Sequence, residues 1–155
     1  MDLAAYEARA RRGPCFVCAF LAGDPGYEHE LLLDDGDHVA FLDRYPTVPG
    51  RTIVAPRAHV EHVFRDLDHD AYLRLQDVVY RIARAVEKAV APERTYALSL
   101  GSQQGNRHVH WMVAPLPPGT PYERQQYHAL MAENGTIAMS TAEASALAGR
   151  IREHL

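Results

Sequence analysis

Lysine is nearly missing from this 155-residue chain: of 16 basic residues only Lys88 is a lysine, and the rest are arginines. We read that as compositional bias. Positive charge is also outweighed, with 20 acidic residues and a formal net charge of −4. That balance argues against binding a nucleic-acid polymer through a broad basic surface, but leaves room for a small anion at a local positive site. No apolar run approaches the roughly 20 residues of a membrane-spanning helix. The opening Met1-Asp2-Leu3 lacks a basic-then-apolar signal pattern, so no membrane role is expected and the expected location is the cytoplasm. Cysteine is scarce as well, with two residues, Cys15 and Cys18, spaced C-x-x-C. In a reducing compartment that pair points to metal binding or redox work rather than a structural disulfide. A redox pair should follow a buried strand, whereas Arg9 to Pro14 is polar and turn-like, so a zinc knuckle fits better; two small buried residues three apart is the plain alternative.

What is present describes one soluble domain, residues 1–155, with 47% hydrophobic and 23% charged residues. Leu3 to Arg12 reads as a helix ended by Gly13-Pro14, and Cys15 to Phe20 as a compact turn. Glu30 to Leu33 and Val39 to Asp43 form a hairpin across Asp34-Asp35-Gly36-Asp37. Arg44 to Gly50, with Pro46 and Pro49, is irregular, and Thr52 to Ala55 is a third strand closed by Pro56. Leu73, Leu75, Val78, Val79, Ile82, Val86 and Val90 give a 3.6-residue period, predicting a long helix over 68–90 capped by Asp66 or Asp68. Tyr96 to Leu100 is a fourth strand, Gly101 to Asn106 a polar loop, and Leu116 to Pro121 a stiffened loop. Tyr122 to Met131 and Thr141 to His154 are expected helices. The order predicts an α+β fold with a mostly antiparallel sheet.

The stretch Gly105 to Pro115 carries the chemistry. It alternates as a strand, with His108, His110 and Met112 on one face and Val109, Trp111 and Val113 on the other. Imidazole is a metal ligand, a nucleophile and a proton carrier. With His59 after the third strand, Cys15, Cys18 and His108 make up a donor set that zinc favours, although the long gaps between them do not prove it by spacing.

Taken together, Cys15-Phe16-Val17-Cys18, Ala40-Phe41-Leu42-Asp43 with Pro46, Pro49 and Gly50, Ile53 to Val60, and His108-Val109-His110-Trp111 running into Pro115 resemble the histidine-triad (HIT) family. The resemblance covers roughly Cys15 to Pro115, and implies a HIT-like five-stranded antiparallel sheet, a long packed helix and a C-terminal helical extension over 116–155. It implies a structural zinc on Cys15, Cys18, His59 and His108. It implies His110 as the nucleophile that attacks the α-phosphate of a nucleotide and forms a nucleotidyl-histidine intermediate. It assigns Asp43 to ribose hydroxyls, Phe41 to the base pocket, and Ser102, Gln104, Gly105 and Asn106 to phosphates. The implied partners are a nucleotide or nucleotide conjugate and, as in most members, a second copy in a homodimer.

Two positions depart from the family pattern. The third triad position is Met112, and Arg51 follows the Pro-Gly pair where hydrolytic members often have histidine. A thioether cannot donate a proton, whereas a guanidinium can hold phosphate oxygens. The pattern therefore favours leaving groups that depart as phosphates, in a hydrolase or nucleotidyltransferase. The alternative is a zinc-containing nucleotide-binding protein with little or no turnover.

Overall fold

The computed structural model describes residues 3–102 and 104–155. Its frame is a five-stranded sheet: β1 (Leu31–Asp34), β2 (His38–Leu42), β3 (Thr52–Pro56), β4 (Arg94–Leu98) and β5 (Trp111–Leu116). The strand order is β1-β2-β3-β5-β4 and every pairing is antiparallel. The β1–β2 hairpin turns where the aspartates and glycine predict it. Asp35 Oδ1 accepts the backbone N–H groups of Asp37 and His38, and Gly36 takes φ +92°, a conformation glycine adopts at little cost.

Every residue of β2 and β3 is buried, so the sheet is covered on both faces. Ala40, Leu42, Val54, Val109 and Val113 pack with Leu75, Val79, Ile82 and Val86 of α4 (His69–Val90), which follows the single turn α3 (Val63–Asp66), and with Leu147 and Ile151 of α6 (Thr141–Arg152). On the opposite face Val39, Phe41, Ile53, Ala55 and Met112 pack against Val17 of α2 (Phe16–Ala22). The strand period of two sorts these residues, and the Phe41–Ile53 and Ile53–Met112 pairings keep them in line. The predicted alternation of Val109 and Val113 against Met112 therefore holds, although the β5 ladder begins at Trp111, after both histidines.

α4 follows its predicted period except at Leu73, which is exposed. Asp68 caps it by accepting the Ala71 N–H at 2.8 Å, and Ala91 ends it in a left-handed conformation just before Pro92. Three expectations need correction. Cys15 to Phe20 is not a turn: Phe16–Ala22 is the helix α2, capped by the Cys15 sulfur and stopped by Gly23 at φ +73°. The predicted Tyr122–Met131 helix is broken where Gln126 takes φ +53°, leaving a 3₁₀ turn (Tyr122–Arg124) and a single turn, α5 (Tyr127–Leu130). β4 is Arg94–Leu98, displaced from 96–100 because Leu98 pairs with Met112 and the chain then leaves the sheet. Among the described residues no helix is long and apolar enough to cross a membrane.

Candidate functional site

α1 (Leu3–Arg12) runs into Pro14 and the start of α2, which places Cys15 and Cys18 one helical turn apart beside the end of β3. There the donor atoms of Cys15, Cys18, His59 and His108 lie within 4.8 Å of one another. The sulfur–nitrogen separations are 3.3 Å for Cys15–His108, 3.3 Å for Cys18–His59 and 3.7 Å for Cys18–His108. A tetrahedral zinc with bonds of about 2.0–2.3 Å has ligand–ligand edges of about 3.3–3.8 Å. Both imidazoles point Nδ1 into this space. His108 Nε2 lies 2.9 Å from the Pro56 carbonyl, and His59 Nε2 lies 3.1 Å from Glu61 Oε1. These partners hold the far nitrogen as the donor and leave Nδ1 as the ligand atom, the arrangement that orients metal-bound histidines. The donor set fits zinc. Without a cation, burial and the hydrogen bond and charge of Cys15 push the Cys18 thiol up to about 11, while burial holds His108 down to about 4. A bound dication favours thiolate, so metal uptake releases protons.

His110, two residues on, faces different surroundings. It is 5% exposed, its Nδ1 lies 2.7 Å from the His108 carbonyl, and the Phe16 ring meets it edge-on at 5.2 Å. A carbonyl can only accept, so Nδ1 carries the proton and the lone pair sits on Nε2. Burial lowers the pKa of this ring, which keeps it neutral around pH 7.

The cavity that His110 helps line holds about 280 Å³. Its walls include Phe16, Tyr27, His29, Tyr45, Ile53 and Leu100. Three arginines (Arg9, Arg44 and Arg51) and one aspartate, Asp43, also line it. Arg51 Nε lies 3.1 Å from Asp43 Oδ2, close enough for an ion pair but off the line of a hydrogen bond. Arg51 Nη1 donates to Thr47 Oγ1 and the Leu130 carbonyl, and Nη2 to Met112 Sδ at 2.7 Å. Asp43 Oδ1 accepts the Tyr45 N–H at 2.9 Å. A carboxylate offers about four lone-pair sites, so Asp43 keeps acceptor capacity for a ligand hydroxyl.

The polar loop before His108 is divided. Gly105 and Asn106 line the cavity beside His110. A Cβ on Gly105 would sit 2.6 Å from the Ala10 carbonyl, so the loop lies directly on the end of α1 and only glycine fits there. Ser102 donates to Asn106 Oδ1 and borders, with Arg107, a neighbouring surface cleft that also reaches His108 and His110, while Gln104 is exposed and outside the cavity wall. Phe41 is also displaced from its expected place. It is fully buried behind Phe16, Phe20 and His29 and forms no part of the lining. The rings that do line the cavity, Phe16, Tyr27, His29 and Tyr45, carry no spacing signal, because α2 and two irregular segments deliver them.

Two buried imidazoles, His108 and His110, and the half-buried His29 give the metal-free chain a defined acid response. His29, His108 and His110 all titrate below the ordinary 6.5 because burial disfavours their charged forms. Unfolded, each takes up a proton near 6.5. Below that pH the unfolded chain binds more protons and stability falls, continuing for His108 to about 4. Denaturant midpoints of chelator-treated protein should drop across this window; a flat profile would contradict the burial of these rings.

The HIT domain model matches residues 26–117. An uncharacterized HIT-like protein of Saccharolobus solfataricus is 33% identical over 103 residues, 64% of this chain and 73% of its own length. Another from Mycobacterium tuberculosis is 32% identical over 106 residues, 66% of this chain and 71% of its own. A hypothetical histidine triad nucleotide-binding protein from Sulfolobus tokodaii shares the fold with TM-score 0.72 at 24% identity, over 90% of this chain and 91% of that one. A Zn-bound histidine triad family protein from Mycobacterium smegmatis does so with TM-score 0.62 at 21% identity, over 90% and 96%. The matched segment carries the hairpin, the long helix and the His108-Val109-His110 strand entry, and the chain belongs to the HIT family.

Proposed function

We propose that the protein binds a nucleotide in the cavity beside His110 and acts on its α-phosphate, as a hydrolase or nucleotidyltransferase, through a nucleotidyl-histidine intermediate. The observation that carries this reading is the fixed tautomer of His110: a buried, neutral ring with Nδ1 donating to His108 and the Nε2 lone pair available, in the wall of a cavity with three arginines to one aspartate. Nε2 attacks phosphorus, the bond from phosphorus to the leaving-group oxygen breaks, and that oxygen departs with the electron pair. Water or an acceptor phosphate then attacks the same phosphorus, the phosphorus–nitrogen bond breaks with its electron pair returning to Nε2, the proton of an attacking water passes to solvent, and neutral His110 is restored. Splitting one displacement into two lowers the barrier to each.

Asp43 accepts a ribose hydroxyl in this reading, and the N–H groups of Gly105 and Asn106 approach the phosphate. Arg51 is held rigidly by Asp43, Thr47 and Leu130, so its charge meets developing phosphate charge with little reorganisation. Met112 offers no proton, so the preferred leaving group is itself a phosphate or pyrophosphate, which needs none. A zinc on the four-donor set has no open position, and its contribution is to pin α2, the His59 segment and His108 together.

One observation favours binding with little turnover: the Met112 sulfur closes on Arg51 where a proton donor would be needed for a basic leaving group. Trapping separates the two. Incubation with labelled nucleoside polyphosphate and a base quench should leave an acid-labile nucleotidyl adduct. Retained nucleotide binding with neither adduct nor product would leave the binding reading standing alone.

A further inference from the structure

Resting on the reading of the four donors as a zinc site and of Gly105-Asn106 as a ligand wall, we propose that Glu61 is a positioning residue joining the two, so that metal loading tightens the substrate loop. A single oxygen of Glu61 serves both sides. Oε1 lies 3.1 Å from His59 Nε2 and 2.9 Å from Arg107 Nε. Arg107 ends the loop that carries Gly105 and Asn106, and its backbone N–H closes that loop on the Gln104 carbonyl at 3.0 Å. Glu61 is itself fixed from behind, because Asp66 Oδ2 accepts the N–H groups of Glu61 and His62 at 3.0 and 2.9 Å. The adjacent Val60 carbonyl accepts the Val109 N–H at 2.7 Å, between the two triad histidines.

Exposure explains why the metal matters. The His59, Glu61 and Arg107 side chains are 37%, 32% and 51% exposed. Half-solvated ion pairs between mobile side chains hold little by themselves. A cation on His59 Nδ1 changes that: it anchors the ring, makes Nε2–H a stronger donor, and so fixes the carboxylate that holds Arg107. The same oxygen that orients a metal ligand then restrains the wall of the cavity. Nothing in the C-x-x-C or His-x-His patterns marks Glu61 or Arg107 for this role.

The test uses zinc alone as the probe. Competition titration against a chromophoric chelator should show Glu61→Gln binding zinc about 10- to 100-fold more weakly, with Arg107→Ala near wild type. Amide hydrogen exchange over residues 104–107 should slow on zinc loading in the wild-type chain. That zinc-dependent slowing should vanish in Arg107→Ala, which still fills its metal site, and in Glu61→Gln at saturating zinc. A merely structural Arg107 would shift both metal states alike. Loop exchange indifferent to zinc in the wild-type chain, or unchanged zinc affinity in Glu61→Gln, would overturn the proposal. Neither readout involves nucleotide chemistry, so a failure to trap an adduct leaves this result intact and separately interpretable.

Discussion

His110→Gly is expected to abolish adduct formation and reduce turnover by about 10³- to 10⁶-fold, the range seen when a covalent nucleophile is removed. Zinc content should be unchanged, because His110 contributes no donor to the metal cluster. Nucleotide affinity should change far less than turnover, since Asp43, the arginines and the aromatic walls remain. Steady-state kinetics paired with equilibrium binding checks this split. An adduct that persists in His110→Gly would remove the residue from the nucleophile role. A parallel loss of binding would mean the ring only shapes the cavity.

Cys15→Ser is expected to cost most of the metal and a large part of the thermal stability. Serine is itself a strong helix cap, so the start of α2 keeps its local hydrogen bond and the thiolate ligand is what disappears. A metal present at about 1,000 times its Kd stabilises the folded state by about 4 kcal/mol. For a chain of this length that corresponds to a fall in Tm of roughly 8–16 °C. Thermal unfolding with and without chelator provides the check: the wild-type Tm should fall on chelation, while the serine variant starts low and responds little. A variant that unfolds with the wild type and retains zinc would remove Cys15 from the donor set.

The sequence could disclose features whose cause is local. The α4 period, the Asp68 cap and the aspartate-glycine turn follow from side-chain spacing and backbone preference, and the structure has them in place. Donor chemistry suggests the Cys15, Cys18, His59 and His108 grouping but only the resemblance assigns it, because 41 and 49 residues separate its later members along the chain, and only folding closes such gaps. α2 leaves no periodic signal because its seven residues are nearly all apolar, with no polar face to reveal a helical period. Phe41 and Phe16 illustrate the same difficulty. Both are aromatic residues beside a motif, and only the packing of α2 over β2 decides which is core and which is wall. The Arg51–Met112 contact joins two departures that look independent in the sequence, since β3 and β5 must pair before they meet.

The two faces of the sheet are protected by unequal means. One lies under a 22-residue helix that packs along its length. The other is covered by the seven residues of α2, whose start a metal on Cys15 and Cys18 would fasten. If that fastening fails, Val39, Phe41 and Ile53 become an adhesive surface, and large apolar patches of this kind drive association between chains. Zinc supply during synthesis would then govern how much of the protein stays dispersed. The soluble fraction recovered from zinc-limited and zinc-replete cultures should differ accordingly, and an equal yield would show that α2 holds its place without the metal.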